Sequence, residues 1–563
     1  MADEERHHIR SESERRPLLS RTSTAYQSEA SSVKQDAENG LSAIRATGIA
    51  LSMFTLIFIL TSNVSLLTTI QSPIAEELDA SSEVTWFNAA YLIAITSITP
   101  ISGKLCQTFT PRVFLVASII VQGIGLLLTA EAQNVASFLA GRAVSGIGSA
   151  AITPVAFILV TALTPPRRRG LFFGLINSGY TSGLACGAII AGALEPRVGW
   201  RTIFWMQIPF SLIAALAAFA LIPKVKKAEE SEQDSTGSKL ARIDFFGVLT
   251  LIVTLVLLLF TLSAHKIDMR AVALSVGMLI LFVLVECKWA RDPIVPPSVM
   301  QSRANILSGV STVGVMTARW GVLFYTPVYA IAVRGWIPSA AGALLVPTNA
   351  GFAFGGVLAG WIHIRKARSY YLPTLTCFGL FAIVQFGLSQ LVTFGSPIWL
   401  FITSLFLNGF VVGALLVYSL AHLLHLTKPS DHVIVIPFNA TFRSFSGSFG
   451  SAITGGYFLR TLSNNLHDGF KSIGMPHNGE LVRKLLGSPL LVQKLEGIEK
   501  QVAIAAYSKS LTATFLGGVG LAIVMAVLQA GVGWTAPEPE SDKFTEQDRD
   551  EIRRVISQDN PTG

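Results

Sequence analysis

Charged side chains inside long apolar runs are the residues of this sequence that could do chemistry. Arg142 and Arg319 each lie well within such a run. A guanidinium is costly in hydrocarbon, so both are expected to face a protein interior that offers hydrogen-bonding partners. Asp and Glu occur only at the ends of the main apolar runs, apart from Glu286 in an accessory run. The resulting positive interior favours a neutral, zwitterionic or anionic cargo.

Amide and aromatic side chains in the same runs are candidates for lining a substrate cavity near the middle of a bilayer. Their enrichment suits an amphipathic substrate or several different substrates. Any one of them could equally be a satisfied contact between helices. With the two arginines, the candidates are Asn63, Tyr91, Arg142, Asn177, Tyr180, Arg319, Tyr325, Asn349, Asn408 and Asn439.

The scarcity of buried carboxylates bears on energy coupling. A proton-coupled carrier needs a titratable group that changes exposure. Asn63 is neutral at every relevant pH and cannot carry a proton. Coupling would therefore rest on an edge acid such as Glu131 or Glu195, or would be absent. The remaining titratable candidates are the histidines His422, His425 and His432.

Composition places these residues in a membrane protein. The chain has 563 residues, of which 51% are hydrophobic and 14% charged, and its mean hydropathy is +0.54. Soluble domains carry roughly 25% charged residues. The net charge of +8 fits basic cytoplasmic loops better than a nucleic-acid partner. The four cysteines show neither zinc spacing nor a disulfide framework, so no metal or cofactor is expected.

The apolar runs predict an all-α polytopic protein with fourteen transmembrane helices, since each run is long enough to cross a bilayer. Counting Lys and Arg in the short connectors gives 17 on the side of both termini and 5 on the other. Both termini are therefore predicted to be cytoplasmic. The predicted spans are 45–67, 85–103, 112–130, 135–160, 170–194, 202–222, 243–263, 271–288, 304–331, 338–362, 371–391, 396–425, 432–459 and 505–533.

The polar segments divide the chain into regions. Residues 1–44 are predicted to be a disordered cytoplasmic tail, 45–222 a six-helix bundle, and 223–303 a linker with two accessory helices. Residues 304–535 form a second bundle with a lumenal loop at 461–504, whose later part could form short amphipathic helices. Residues 536–563 form a second cytoplasmic tail. The expected partners are lipid and a small solute, with protons an open question, and the chain is expected to be a monomer.

The N-terminal tail contains one short motif with a mechanism. Glu14, Leu18 and Leu19 form an acidic residue, three spacers and a leucine pair. This pattern resembles the acidic dileucine signal that adaptor coats read when they sort proteins to vacuoles and lysosomes. A chance match in a disordered tail is the alternative. The motif favours the vacuolar membrane, with the plasma membrane as the other candidate location.

The loop after the second span resembles the loop signature of the major facilitator superfamily, which runs from Gly through Leu and Asp to a basic residue. Gly103, Leu105 and Arg112 match, whereas Gln107 stands where the family has Asp. The resemblance implies a loop that gates the cytoplasmic side. An ordinary positively charged cytoplasmic loop is the alternative. The gate-loop residues are Gly103, Lys104, Gln107 and Arg112.

Two further stretches are similar to motifs of the same superfamily. Arg142, Gly146 and Gly148 fit its Arg-x-x-x-Gly-x-Gly pattern, and the segment 183–187 resembles the antiporter signature of its exporters, with Leu184 in place of Pro. Small residues permit close helix packing, which explains them without antiport. The helix-packing glycines are Gly146, Gly148, Gly179, Gly183 and Gly187.

Further segments are similar to the fourteen-helix drug:proton antiporter branch: "GWRTIFWMQIPF" from Gly199, "VRGWIPSAAGALLVP" from Val333 and "FRSFSGSFGSAI" from Phe442. The resemblance, closest to fungal vacuolar amino acid and multidrug transporters, implies the major facilitator fold with six, two accessory and six helices. It implies a secondary transporter of amino acids, drugs or secondary metabolites and not an enzyme. An uncoupled carrier and a non-transporting sensor on the same fold are the alternatives. No phosphate-binding loop of an ATP-driven pump is present.

Overall fold

The computed structural model describes residues 43–80, 83–163, 169–222, 245–263, 268–288, 302–362, 369–427, 432–473 and 479–533. Regular secondary structure in these ranges is helical. We call residues 43–222 the N-half and residues 302–533 the C-half. The N-half contains α1 (Ala43–Glu77), α2 (Val84–Thr108), α3 (Pro111–Ala130), α4 (Val135–Ser149), α5 (Ile152–Leu163) and α6 (Arg169–Leu221).

Two accessory helices separate the halves, and the C-half follows. The accessory helices are α7 (Phe245–Ser263) and α8 (Met269–Lys288). The C-half begins with α9 (Arg303–Ala332), α10 (Pro338–Ala343), α11 (Leu345–Ile362), α12 (Tyr371–Gln390) and α13 (Ile398–Leu426). It ends with α14 (His432–Phe449), a π-helical turn (Gly450–Thr454), α15 (Gly455–Ser472), α16 (Gly479–Gly487), α17 (Leu491–Lys494) and α18 (Gly497–Ala530).

The helices suit a bilayer. Ten of those described are long and apolar enough to cross one, and Phe246–Leu262 is a shorter apolar helix. Because most successive spans are joined by short connectors, they cross the membrane in alternating directions. We call the side on which α1 begins the near face and the opposite side the far face. The order of helices fits fourteen spans in the arrangement six, two and six.

Several predicted boundaries were wrong. The first span does not end at 67, because α1 continues to Glu77 with Ile70 and Ile74 fully buried. At 1.5 Å per residue, its 35 residues exceed the roughly 30 Å of hydrocarbon, so the helix projects beyond the membrane core. The described part of the predicted loop 461–504 is largely helical, and the short helices predicted for its later part are present. It contains the end of α15, the short helices α16 and α17, and the start of α18.

Other spans are interrupted or merged. The predicted span 135–160 is two helices, α4 and α5, and the span 338–362 is α10 followed by α11. The predicted spans 170–194 and 202–222 are joined by helical residues within α6. The chain reverses at Gly199, whose φ of 74° lies in the left-handed region that a residue without a Cβ adopts readily.

The halves meet along a seam that begins at mid-depth and extends towards the far face. Thr96 of α2 hydrogen-bonds Ser448 of α14, and Ser448 donates to the carbonyl of Leu92 at 2.6 Å. The accessory helix α7 lies beside this contact, where buried Leu259 packs with residues of α2 and with Ala452 of the π turn. One apolar side chain of the accessory pair therefore touches both halves.

Candidate functional site

Arg142 lies in the centre of the N-half and is fully buried. The helix that carries it is positioned by a reciprocal cap, in which the Asn134 side chain accepts from the Ser137 backbone amide at 2.9 Å. The guanidinium donates to the side-chain oxygen of Asn63 and to the carbonyl of Phe87 at 3.0 Å. Arg142 thus links α4 to α1 and α2 through neutral acceptors.

Aromatic and amide groups complete this cluster. The Arg142 guanidinium carbon lies 4.4 Å from the centroid of the Tyr91 ring, and the Tyr91 hydroxyl hydrogen-bonds Ser149 at 3.0 Å. Asn63 donates to Gln207 of α6 at 2.9 Å. Every partner is uncharged, so the cluster binds its arginine without an ion pair. We call Arg142, Asn63, Tyr91 and Gln207 the N-half cluster.

The packing glycines allow the helices to approach closely enough to form this cluster. A Cβ on Gly183 would lie 2.5 Å from the carbonyl oxygen of Phe58, and one on Gly187 would lie 2.7 Å from the Cα of Ser62. Gly179 lies one turn earlier on the same α6 face, also against α1. On α4, Gly146 lies against the Tyr91 carbonyl and Gly148 against the backbone of α3. Any larger residue at Gly183 or Gly187 would force α1 and α6 apart.

Arg319 lies near the middle of α9 and is almost fully buried. It donates to the Thr348 hydroxyl at 3.4 Å and to the side-chain oxygen of Asn349 at 3.2 Å. Asn349 uses its own amide nitrogen on the carbonyl of Leu345 at 2.9 Å, which turns its oxygen towards Arg319. The guanidinium lies 4.5 Å from the Phe352 ring centroid. Arg319 therefore also has neutral partners only.

The sequence-based candidate set missed Arg443. This residue of α14 has its guanidinium 5.8 Å from the centroid of the same Phe352 ring that Arg319 contacts. It also lies 5.7 Å from the ring of Tyr180, which belongs to α6 of the N-half. A buried arginine is costly in hydrocarbon wherever it lies in a span, and Arg443 lies within the predicted span 432–459. The sequence therefore already marked Arg443 as a candidate. We call Arg319, Arg443, Phe352 and Tyr180 the seam cluster.

An apolar cluster closes the seam on the far side of these arginines. It contains Leu184 and Ala188 of α6, Trp320 and Leu323 of α9, and Leu345 of α11, all buried. Beyond it, a Cβ on Gly192 would lie 2.7 Å from the backbone nitrogen of Ser339. Because side chains from both halves interlock here, the far side of the seam is closed in this structure.

Other predicted lining residues lie elsewhere. Asn408 donates to Gln385 at 2.9 Å within the C-half. Tyr325 stacks on Phe458 with ring centroids 4.3 Å apart and packs against the core at the far end of the C-half. The side-chain oxygen of Asn439 is buried without a hydrogen-bond partner in the described part of the chain. The side chain of Asn177 lies outside the described residues.

The structure describes part of the predicted gate loop and none of the sorting motif. The side chains of Lys104 and Gln107 are outside the described residues, although both residues and Gly103 belong to α2. Arg112 is the second residue of α3, and its guanidinium carbon lies 3.8 Å from the ring centroid of Phe219 in α6. The sorting motif Glu14, Leu18 and Leu19 lies outside the described residues.

The described acids of the core helices lie near helix ends, except Glu195, which lies within α6 just before its kink at Gly199. Glu77, at the far end of α1, forms an ion pair with Arg201 and accepts from the Trp200 indole at 2.6 Å. Glu131 accepts from the Trp205 indole at 2.9 Å. At the opposite face, the His422 ring hydrogen-bonds the carbonyl of Gly533 at 3.1 Å. The buried Glu286 belongs to accessory helix α8.

Comparisons with known proteins agree with this architecture. The sequence profile described as "Major Facilitator Superfamily" matches residues 53–451. Vacuolar basic amino acid transporter 1 of Saccharomyces cerevisiae is 29% identical over 294 residues, which cover 52% of this chain and 52% of that protein. The match thus spans about half the length of the yeast relative. The MFS thioclapurine efflux transporter tcpA of Claviceps purpurea is 24% identical, covering 96% of this chain and 99% of that protein.

Solved structures share the fold. A bacterial homologue of the human lysosomal transporter Spinster, solved in an inward-facing and unoccupied conformation, superimposes with a TM-score of 0.58. The superposition covers 88% of this chain and 98% of that one at 13% sequence identity. At that identity the likeness concerns the fold alone.

Proposed function

Because the chain belongs to the major facilitator superfamily and is a multi-pass membrane transporter of small solutes, we propose that it exports amino acids or drug-like secondary metabolites from the cytosol. Transport proceeds by alternating access, in which the two halves rock around a site between them. The observation that carries the proposal is the seam cluster, where polar side chains of both halves meet at mid-depth. The names of the yeast and Claviceps relatives supply the two solute classes.

The packing supports one state of that cycle. The apolar cluster around Leu184 and Trp320 closes the seam on the far side of Arg319, and Gly192 contacts Ser339 beyond it. A seam closed on the far side leaves the near face as the side from which a site between the halves would be reached. With the near face cytoplasmic, as its basic connectors favour, this is the loading state of an exporter.

We assign the protein to the vacuolar membrane, with both termini in the cytoplasm. The support is the dileucine pattern at Glu14, Leu18 and Leu19 and the similarity to a transporter named as vacuolar. Export from the cytosol would then fill the vacuole.

Uncoupled carriage is the second candidate. The observation that favours it is that the acids of the described core helices lie near helix ends or at the kink of α6, with Asn63 beside Arg142 in the interior. A carrier without a titratable interior group equilibrates its solute and follows the concentration gradient alone.

Transport in reconstituted vesicles tests both candidates. The full-length purified protein is placed in liposomes, and uptake of amino acids and aromatic metabolites is measured with and without an imposed pH gradient. Accumulation that exceeds that of protein-free liposomes supports a transporter, and dependence on the gradient separates coupled from uncoupled carriage. A sealed, correctly folded preparation that moves no solute of either class would contradict the proposal.

A further inference from the structure

We infer that the seam cluster is a binding site for a carboxylate, with Arg319 and Arg443 as its anion-binding groups and Tyr180 closing it from the N-half. The transported solute is then an organic acid or an amino acid held by its carboxylate. This inference rests on the proposed function for its role in transport, although binding can be measured without it.

The seam cluster brings two positively charged side chains together. Arg319 and Arg443 both approach the ring of Phe352, at 4.5 Å and 5.8 Å from its centroid. Two like charges at mid-depth of a bilayer are costly unless an opposite charge lies close to them. Within the described ranges, Arg319 has only the neutral oxygens of Thr348 and Asn349 as hydrogen-bond partners. An anionic ligand would neutralise the site.

The hydrogen-bond donors of Arg319 meet only neutral partners in the part of the chain that the structure describes. A guanidinium has five N–H donors in a planar fork, and Arg319 directs two of its nitrogens to Thr348 and Asn349 over 3.4 Å and 3.2 Å. These are long bonds to neutral oxygens. Charge-assisted bonds to a carboxylate are shorter and roughly twice as strong. A carboxylate can therefore compete for this arginine in a way that water or a neutral solute cannot.

Arg142 and Arg443 differ in burial. Arg142 is fully buried and donates hydrogen bonds to the Asn63 side chain and the Phe87 carbonyl. Arg443 and Tyr180 are only partly buried although they lie at mid-depth. Arg142 is thus enclosed by its own half, whereas Arg443 and Tyr180 keep part of their surface accessible.

The position of the cluster links binding to transport. Arg443 belongs to the C-half, and the Tyr180 ring, 5.7 Å from its guanidinium, belongs to the N-half. The apolar cluster begins beside them, with Tyr180 packed against it. A carboxylate that engages both arginines will sit where the halves separate during rocking, with the rest of the solute along the seam.

Binding of acids and their matched amides tests the inference. Probes are L-arginine with L-argininamide and 4-phenylbutyrate with 4-phenylbutyramide, each added to purified full-length protein in nanodiscs. Affinity is measured by isothermal titration and by thermal stabilisation. We expect wild-type protein to bind one or both acids about 10- to 100-fold more tightly than the corresponding amide, the range for one charged hydrogen-bonding contact. The preference should be lost in Arg443→Gln and in Arg319→Gln.

Matched variants keep the test decisive. Arg483→Gln removes an exposed arginine of α16 and should leave the preference unchanged. Arg443→Lys keeps the positive charge but loses the planar guanidinium, so it should keep part of the preference for acids over amides. This variant tests the site even where Arg319→Gln folds poorly. Equal binding of acids and amides by wild-type protein, or no binding of either acid, overturns the inference. So does a preference that survives both glutamine substitutions.

Transport separates this inference from the proposed function. Vesicles that transport a solute without a carboxylate, with no acid preference in binding, leave the transporter intact and refute the carboxylate site. Retained acid binding without transport of any solute supports the site and contradicts the proposed function.

Discussion

Replacing Arg142 by Ala is expected to loosen the N-half and to abolish transport. The guanidinium joins three helices, through Asn63 on α1 and the Phe87 carbonyl on α2, and it stacks on Tyr91. Alanine would leave the Asn63 oxygen and the Phe87 carbonyl without their donor inside a dry bundle. The N-half should therefore be less stable, and a rocking motion that depends on its rigid packing should be impaired.

The magnitude follows from these contacts. Each charge-assisted hydrogen bond contributes about 1–1.5 kcal/mol, less than in water, because the unfolded chain in a membrane finds other partners. A desolvated cation–π contact such as that with Tyr91 contributes about 1–2 kcal/mol. Arg142→Ala should therefore lower the free energy of unfolding by about 3–5 kcal/mol. Arg142→Lys keeps the charge but not the fork, so its loss should be about half as large.

The assay is denaturant unfolding of purified protein in mixed micelles, paired with uptake into vesicles. Arg197→Ala is the control, because this arginine is exposed in the connector near Gly199 and should change stability by less than about 0.5 kcal/mol. If Arg142→Ala unfolds like the control and transports at the wild-type rate, the interlocking role is refuted. Lost transport with unchanged stability would assign Arg142 to substrate contact instead.

Three further outcomes are expected. Changing Leu18 and Leu19 to Ala should move the protein from the vacuolar membrane to the cell surface by fluorescence microscopy, and an unchanged location would make the motif a chance match. With membrane potential clamped, a protonophore should change wild-type uptake little, because Asn63 cannot carry a proton. Asn63→Asp, if it folds, should make uptake depend on pH. Strong protonophore sensitivity of the wild type would show that a proton site exists elsewhere. Gly183→Ala should lower the melting temperature, because the added Cβ would meet the α1 backbone. Gly277→Ala, at a position with open space around it, should leave the melting temperature unchanged or raise it. Equal effects of the two substitutions would refute the close packing of α1 and α6.

Much of the transmembrane architecture can be predicted from short stretches of the sequence. Hydropathy alone selects a span, because a bilayer leaves each helix to satisfy its own backbone. The fourteen-helix arrangement and the motif around Arg142 could therefore be read from single stretches of the chain. The exact ends of α1 and α15 could not, since those ends lie outside the hydrocarbon, where packing against neighbouring helices decides how far a helix continues.

The sequence by itself determined the class of protein and which side chains are too polar for lipid, among them Arg142 and Arg319. Only the tertiary structure decided how they are used. It placed Asn408 beside Gln385 inside one half, and it brought Arg443 to Tyr180 across the seam. The reason is that hydropathy reports the cost of a polar group in lipid, whereas its partner is set by the rotation of distant helices, which no single stretch encodes.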